Sequence, residues 1–297
     1  MRSKIIVYLV RGLSVLPLGV IQRLGVFLGW LFYRISNRER KTTRINIDLC
    51  FPEYTSQQKD QLLRLSLIEG AKTLLEMPGI WHGDAERMVE QLELGDGADL
   101  PQRALEQNRG VIVAAPHLGA WEVGLHYLAQ LAPTTALYRP PREKAMEEII
   151  AKGRSKGGSR LVPTTAAGIK ALYQALRRKE IVAILPDQQP RHLGKSAGVF
   201  APFFKVPALT MVLVNRLAQR TGAIVIYTYV ERLPDALGYR MHFLPAPPGM
   251  DDPDPEVGAG ALNRGVEACA RRCPAQYQWS YKRFSVRPDG ARSPYKG

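Results

Sequence analysis

Apolar and polar positions divide the chain into a hydrophobic amino-terminal part and a longer part in which short patterns alternate. Between residues 5 and 32, two apolar blocks follow one another, interrupted by Arg11, Pro17 and Arg23. No unbroken stretch reaches the roughly 18–20 apolar residues that a single membrane-spanning helix needs. Because proline breaks a helix, this pattern predicts two short helices within residues 1–35.

A basic cluster follows these apolar blocks directly. It contains Arg34, Arg38, Arg40, Lys41 and Arg44. Such a cluster next to apolar helices is typical of segments that bind anionic lipid at the cytoplasmic face. A second apolar block, with no small-residue cleavage site, argues against a signal peptide. We therefore expect residues 1–35 to be a membrane anchor, with the rest of the chain cytoplasmic. The alternative is a buried helical hairpin beneath a solvated run of charges.

Residues 36–297 show the pattern of a single α/β domain, with a helical lead-in over residues 36–100. Helical periodicity extends over residues 56–92, and short apolar runs then alternate with amphipathic stretches. The expected strands are 111–115, 135–138, 181–185, 223–230 and 239–244. The expected helices are 121–131, 143–156, 166–178, 209–221 and 256–272. Strands separated by helices of this length predict a mixed, mostly parallel sheet flanked by helices.

Composition and charge narrow the possible partners. The 297 residues are 45% hydrophobic, enough for a sizeable core, and 41 Lys and Arg against 27 Asp and Glu give a net charge of +14. This charge favours nucleic acid, anionic lipid headgroups or an acidic carrier protein as partner. The basic residues are scattered over several elements instead of alternating with aromatic residues along one, which argues against nucleic acid. The three cysteines indicate neither a disulfide framework nor a metal site.

His117 is the strongest candidate for a catalytic base among the five histidines. It follows the apolar run VIVAA and precedes a predicted helix, so it lies at the carboxyl edge of the sheet, where α/β sites open. Glu122 would lie about 140° away around a continuous helix, so the two side chains meet only if His117 is extended before the first turn. In that geometry Glu122 accepts a hydrogen bond from one ring nitrogen and stabilises the imidazolium. The alternative is an incidental histidine at a strand–helix junction beside a solvent-facing glutamate.

Residues 117–122, HLGAWE, resemble the H-x4-E/D motif of the lipid A late acyltransferases, which belong to the lysophospholipid acyltransferase superfamily. Further blocks resemble that family in the same order along the chain. They are RINIDLCFP at 44–52, YRP at 138–140 with Arg154 and Gly157-Gly158 after it, LPDQQP at 185–190 with FAPFF at 200–204, and PAQYQWSYKRF at 274–284. Two positions depart from the family pattern: Lys205 replaces a usual glycine, and Tyr281 replaces a common histidine. Both departures bear on the acceptor and not on the type of reaction.

The resemblance implies a glycerolphosphate-acyltransferase-like fold and an O-acyl transfer at the cytoplasmic face of the bacterial inner membrane. Acyl carrier protein is the implied donor, and a hydroxyl of a lipid A precursor or related glycolipid is the implied acceptor. His117 would take the hydroxyl proton, and Glu122 would orient His117. The resemblance implies no cofactor, no metal, no nucleic acid and no covalent acyl-enzyme.

Further residues are assigned on the same basis. Arg154 is expected to stabilise the oxyanion or to hold a substrate phosphate. Asp187, Gln188 and Gln189 follow a predicted strand and are expected to contact substrate, although an aspartate that caps the loop is the alternative. The residues expected to meet phosphates or the acidic carrier protein are Arg139, Lys282 and Arg283.

Three other functions share some of these sequence features. The same chemistry on a lysophospholipid, a mannosylated phosphoinositide or an aminolipid fits the same motif. A non-catalytic membrane-binding or nucleic-acid-binding protein is more distant. A serine hydrolase is disfavoured because residues 194–198, GKSAG, fit the G-x-S-x-G pattern without the apolar strand that must precede it.

Overall fold

The structure is a computed structural model that describes residues 2–141, 143–190 and 197–296, without the side chains of residues 2–6 and 289. His192 and residues 194–196 of the GKSAG segment lie outside the described residues. In the described part of residues 1–107, the helices are α1 (Arg2–Ser14), α2 (Leu18–Arg34), α3 (Arg38–Cys50), α4 (Ser56–His82), α5 (Ala85–Glu90) and α6 (Leu100–Glu106).

The amino-terminal part contains two helices, as expected, and Pro17 is the residue before α2. One side of α2 packs on α4, and Gly29 permits this approach because a Cβ there would lie 2.3 Å from the Ile68 Cα. On the other side, Phe27 and Trp30 are exposed. Within the described residues, no single helix has both the length and the apolar composition to cross a membrane; only α2 and α3 taken together do, and they are bent by 79°.

Among the other elements that can be assigned in residues 2–141, 143–190 and 197–296 are nine strands and five α-helices. The strands are β1 (Leu92–Leu94), β2 (Val111–Ala114), β3 (Thr134–Tyr138), β4 (Arg160–Pro163), β5 (Ile181–Ile184), β6 (Gly198–Phe203), β7 (Val206–Met211), β8 (Ile224–Arg232) and β9 (Tyr239–Pro245). The helices are α7 (Trp121–Leu131), α8 (Lys144–Ser155), α9 (Ala166–Arg177), α10 (Leu213–Thr221) and α11 (Pro255–Arg272).

Seven of these strands form one sheet in the order β1-β9-β8-β2-β5-β3-β4, and β6 and β7 form a separate hairpin. Every neighbouring pair in the large sheet is parallel except β8 and β9. Side chains of β2 alternate between two buried clusters: Val111 and Val113 pack on one face, and Ile112 and Ala114 on the other. Because both faces are covered, this central strand is apolar throughout. The predicted mixed, mostly parallel sheet flanked by helices is confirmed.

One predicted element is wrong over its first part. The helix expected at 209–221 begins only at Leu213, because residues up to Met211 belong to β7 and pair with β6. The turn of this hairpin places Phe204 at φ 49° and Lys205 at φ 63°. Two successive positive φ angles are the mark of a tight hairpin turn that favours glycine. This geometry gives a physical reason for the glycine usual at the position of Lys205 in the family that the chain resembles.

Candidate active site

His117 lies in the short connection between β2 and α7, at the carboxyl edge of the sheet, as the sequence predicts. The connection is held against β8: the Ala120 N–H donates to the Val230 carbonyl at 2.8 Å. Gly119 has φ +61°, and a Cβ at this position would lie 1.9 Å from the same carbonyl oxygen. A glycine is therefore required here for the chain to turn from the strand into the helix with the imidazole at the edge of the sheet.

The carboxy-terminal segment 274–284 holds the other side of this connection. The Gln278 N–H donates to the His117 carbonyl at 2.9 Å, and the Gly119 N–H donates to the Gln276 carbonyl at 3.0 Å. Leu118 and Tyr277 form a single antiparallel bridge between the two segments. The backbone of His117 is thus fixed from both sides, which restricts the positions that its ring can take.

The carboxylate partner of the His117 ring is Asp187. The ring Nδ1 lies 2.8 Å from Asp187 Oδ1, and the His117 backbone N–H donates to Asp187 Oδ2 at 3.1 Å. Asp187 is buried and follows β5, the neighbour of β2. Burial alone would raise the pKa of Asp187, but the charge and hydrogen bonds of His117 outweigh it, so its pKa lies below the usual value. An ionised Asp187 places the proton of a neutral ring on Nδ1.

The second ring nitrogen faces a cavity. The side-chain amide of Gln188 lies 3.3 Å from His117 Nε2, and the Trp121 ring meets the imidazole edge-on at 5.1 Å between centroids. The cavity has a volume of about 290 Å³, and its polar wall includes Arg139 and Arg154. An Nε2 without a proton, placed at the wall of a cavity, is the arrangement that a general base needs.

Glu122 has a different partner from the expected one. Arg154 Nε donates to Glu122 Oε2 at 2.8 Å, and Arg154 Nη2 donates to Glu122 Oε1. Burial alone would raise the pKa of Glu122, but the charge and hydrogen bonds of Arg154 outweigh it, with smaller effects of Trp81 and His117, so its pKa lies below the usual value. The expected hydrogen bond from His117 to Glu122 is therefore wrong, because Asp187 occupies the ring nitrogen and Arg154 occupies the carboxylate.

An apolar pocket lies directly beside this ion pair. It shares Leu137, Arg154 and Leu185 with the cavity at His117. Its inner wall is built of small and aliphatic residues: Gly124, Leu125, Leu128, Ala136, Ala183 and Val230. The polar cavity therefore continues into a small apolar pocket of about 40 Å³, which has space for only a few atoms of a hydrocarbon chain.

The other residues predicted to bind substrate differ in whether they reach the cavity. Gln188 and the exposed Arg139 line the cavity, and their contact with substrate stays a prediction. Gln189 lines it too but also donates to the Arg283 carbonyl at 2.8 Å. Arg283 itself is only 3% exposed and donates to the Leu209 carbonyl and to Thr210 Oγ1. The predicted contact of Arg283 with phosphate or carrier protein is wrong, because its guanidinium is buried. The hydrogen bonds of this group join the carboxy-terminal segment to β7.

Two further candidates lie elsewhere or play another part. Lys282 lies apart from the His117 cavity, over the ring of Tyr295 at 5.6 Å. Tyr281, at the position where the related family often has histidine, accepts a hydrogen bond from the Gln189 N–H at 2.9 Å. It supports the loop that carries Asp187.

Sequence reasoning missed the role of Asp187 and of Tyr277. Tyr277 hydrogen-bonds Asp187, and burial together with this carboxylate raises the pKa of Tyr277, so its phenol stays protonated and can donate. One signal for Asp187 was present: it follows a strand that lies beside β2 in a parallel sheet, and the carboxyl ends of such strands meet. Strand order was the missing information.

Comparison with known proteins agrees with the motifs. Residues 3–285 match the sequence family described as bacterial lipid A biosynthesis acyltransferase. The chain is 30% identical over 283 residues to the lipid A biosynthesis lauroyltransferase of Escherichia coli (strain K12), across 94% of this chain and 90% of that protein. It is 28% identical to the palmitoleoyltransferase of the same strain, across 94% and 90%, and 25% identical to its myristoyltransferase, across 93% and 83%.

Proposed function

Since the chain belongs to the family of bacterial lipid A biosynthesis acyltransferases, we propose that it transfers a fatty acyl chain from acyl carrier protein to a hydroxyl of a lipid A precursor. The observation that carries this proposal is the His117–Asp187 pair, whose second ring nitrogen lies beside Gln188 at a cavity that adjoins an apolar pocket. The base, the space for an acceptor and the surface for a hydrocarbon chain lie next to one another.

The chemistry follows from the ring geometry. His117 Nε2 takes the proton of the acceptor hydroxyl while its oxygen attacks the carbonyl carbon of the donor thioester. The imidazolium that forms is stabilised by the ionised Asp187 at Nδ1. Collapse of the tetrahedral intermediate breaks the carbon–sulfur bond, and the proton passes from Nε2 to the departing thiolate. The products are an ester and the free thiol of the carrier.

Glu122 and Arg154 support this reaction as a pair. Arg154 lines both the polar cavity and the apolar pocket, and its two bonds to Glu122 fix the direction of the guanidinium. A positive charge held at this point favours the oxyanion of the tetrahedral intermediate. Glu122 is accordingly a positioning residue for Arg154, and its charge adds to the field at His117.

The acyl chain and the donor are assigned to the remaining surfaces. The apolar pocket below Arg154 receives the beginning of the acyl chain. Arg139 is exposed at the polar cavity, where its charge suits an acidic carrier protein or a substrate phosphate. Gln188, next to Nε2, donates toward oxygen atoms of the acceptor.

Mass spectrometry of the reaction products tests this function. The full chain, purified in detergent, is incubated with a lipid A precursor and an acyl carrier protein charged with a C12, C14 or C16 chain. We expect the acceptor to gain the mass of one acyl group and the carrier to return as free thiol. Acylation of a lysophospholipid in place of the lipid A precursor, or release of fatty acid without any acceptor product, would contradict the proposal.

We further propose that residues 1–35 attach residues 36–297 to the cytoplasmic face of the inner membrane. Apolar side chains on α1, on α2 and in the turn between them are exposed on the side that does not pack on α4. They are Tyr8, Leu9, Val15, Leu16, Val20, Leu24, Val26, Phe27 and Trp30. Arg34 lies over the Trp30 ring at 5.5 Å, at the point where the basic cluster begins. An apolar helix face bordered by arginines is typical of helices that lie in the membrane interface.

Flotation of the full chain with anionic phospholipid vesicles measures this attachment. Replacing Phe27 and Trp30 by serine is expected to weaken vesicle binding about 10³-fold, because the transfer of each large side chain from water into the membrane contributes about 2 kcal/mol to the binding free energy. The matched control replaces Leu94 and Val257, which are also exposed but lie outside the amino-terminal helices, by serine. Equal vesicle binding by both variants and the unchanged chain would refute the proposed attachment surface.

A further inference from the structure

A second concave site lies away from His117. It is a cavity of about 820 Å³ between the start of α3 and the carboxy-terminal residues, which we call the basic pocket. Its charged wall consists of Arg38, Arg40, Lys41, Arg44 and Lys282. Among the residues that the structure describes, no acidic side chain lines it. The pocket therefore concentrates positive charge in a concave surface and not on a convex face.

Most of this charge has no ion-pair partner among the residues that the structure describes. Arg44 is paired with Asp60 at 2.5 Å, the one ion pair that the described residues supply to these five side chains. Arg40 lies over the Tyr33 ring at 5.7 Å and Lys282 over the Tyr295 ring at 5.6 Å, so both are held in place by aromatic contacts that leave their charge available. The Nε of Arg40 is buried and has no hydrogen-bond partner in the described part of the chain.

Helix α3 and the carboxy-terminal segment, which form the basic pocket, also line a cavity beside residues that contact His117. On another side of α3, Glu39 and Thr43 line a cavity of about 200 Å³ whose opposite wall includes Trp121 and Gln278. Trp121 contacts the His117 ring, and Gln278 bonds the His117 backbone. The Asn46 side chain donates to the carbonyls of residues 279 and 281, which fixes α3 against the carboxy-terminal segment. The distance between the basic pocket and the base is thereby set by the fold.

We propose that the basic pocket binds a phosphate group of the glycolipid acceptor while the reacting hydroxyl lies at His117; this inference rests on the proposed function. A phosphate monoester carries close to two negative charges at neutral pH, and guanidinium groups bind it through paired hydrogen bonds. The volume of the pocket lies in the range of about 300–1,000 Å³ that small-molecule sites occupy. A helix of a carrier protein, about 10–12 Å across, would instead need a broad open face.

Binding to a pair of lipids that differ only in phosphate tests the pocket. The full chain is assayed in detergent micelles with a phosphorylated glucosamine-disaccharide lipid and with the same lipid after phosphatase treatment. The test variant is Arg38→Gln with Lys41→Gln, two exposed side chains on the pocket wall. We expect its dissociation constant for the phosphorylated lipid to rise about tenfold, and that for the phosphatase-treated lipid to stay within twofold.

A matched control removes the same charge elsewhere. Lys170→Gln with Arg177→Gln lowers the net charge by two on the exposed side of α9 and is expected to change neither constant. Binding to vesicles of uncharged phosphatidylcholine is measured for all forms and is expected to be equal, because the exposed apolar side chains of α1 and α2 are the same in each. Three results would overturn the inference. The test variant could lose affinity for both lipids alike, it could lose affinity for the vesicles in parallel, or the control variant could lose affinity for the phosphorylated lipid as well. Selective binding by a chain that transfers no acyl group would support the pocket and count against the proposed function alone.

Discussion

Replacing His117 by alanine is expected to slow acyl transfer about 10²–10⁴-fold, the range that a positioned general base contributes. His117 Nε2 is the ring nitrogen that faces the cavity, and its loss leaves the acceptor hydroxyl without a group to take its proton. The backbone contacts of residues 117–119 with the carboxy-terminal segment do not depend on the imidazole. The initial rate of acylated product, measured by mass spectrometry at saturating donor, gives the size of the loss.

A second histidine serves as the control for this change. His82 is exposed, ends α4 and bonds only the Pro78 carbonyl through its ring among the described residues. His82→Ala is expected to keep the full rate, and thermal unfolding is expected to show both variants folded. A His117→Ala variant that acylates the precursor at the unchanged rate would remove His117 from the mechanism.

Asp187→Asn is expected to lower the transfer rate by about 10²–10⁴-fold with little change in the Michaelis constant of the acceptor. The asparagine fits the same space, but it removes the charge that stabilises the imidazolium and no longer fixes the proton on Nδ1. The backbone N–H of His117 and the Tyr277 hydroxyl can still bond the amide oxygen, so the loop is expected to remain in place. Rates at several acceptor concentrations separate the two kinetic constants.

Glu122→Gln is the natural comparison, because Glu122 is the other buried carboxylate beside His117. This substitution removes the negative partner of Arg154 and leaves the bond between His117 and Asp187 intact. It is expected to lower the rate and also the stability, because a partly buried arginine loses its ion pair. Asp187→Asn with a rate within threefold of the unchanged chain would show that Asp187 serves only to hold the loop.

The sequence carried enough information to predict the sheet and the position of His117. Apolar runs at β2 and β5 and the period of α7 are local signals, because each depends on the burial of one element. The hairpin of β6 and β7 was not predicted from the sequence. One reason is that residues 209–211 continue without a break into the helical pattern of α10. Short edge strands such as β1 carry too few residues for any period to show.

The partners of the charged side chains were harder to predict from the sequence. Spacing placed Glu122 next to His117 along the chain, but the ring bonds Asp187, which is 70 residues away and reaches it only because β5 lies beside β2. Arg283 resembled a surface cation in the sequence, yet the carboxy-terminal segment folds back and buries it against β7. Both outcomes depend on long-range packing, for which a single sequence has no periodic signal.

The most direct test of the proposed base is the position of the proton on the His117 ring. Nitrogen-15 chemical shifts of imidazole-labelled full chain in micelles, at a pH where this ring is neutral, distinguish the two tautomers, and His117→Gln identifies the signal. We expect a protonated Nδ1 and an unprotonated Nε2 in the unchanged chain and in Glu122→Gln, and a mixture of tautomers in Asp187→Asn. A proton on Nε2 in the unchanged chain, or an identical spectrum in Asp187→Asn, would contradict the claim that Asp187 holds His117 as the base.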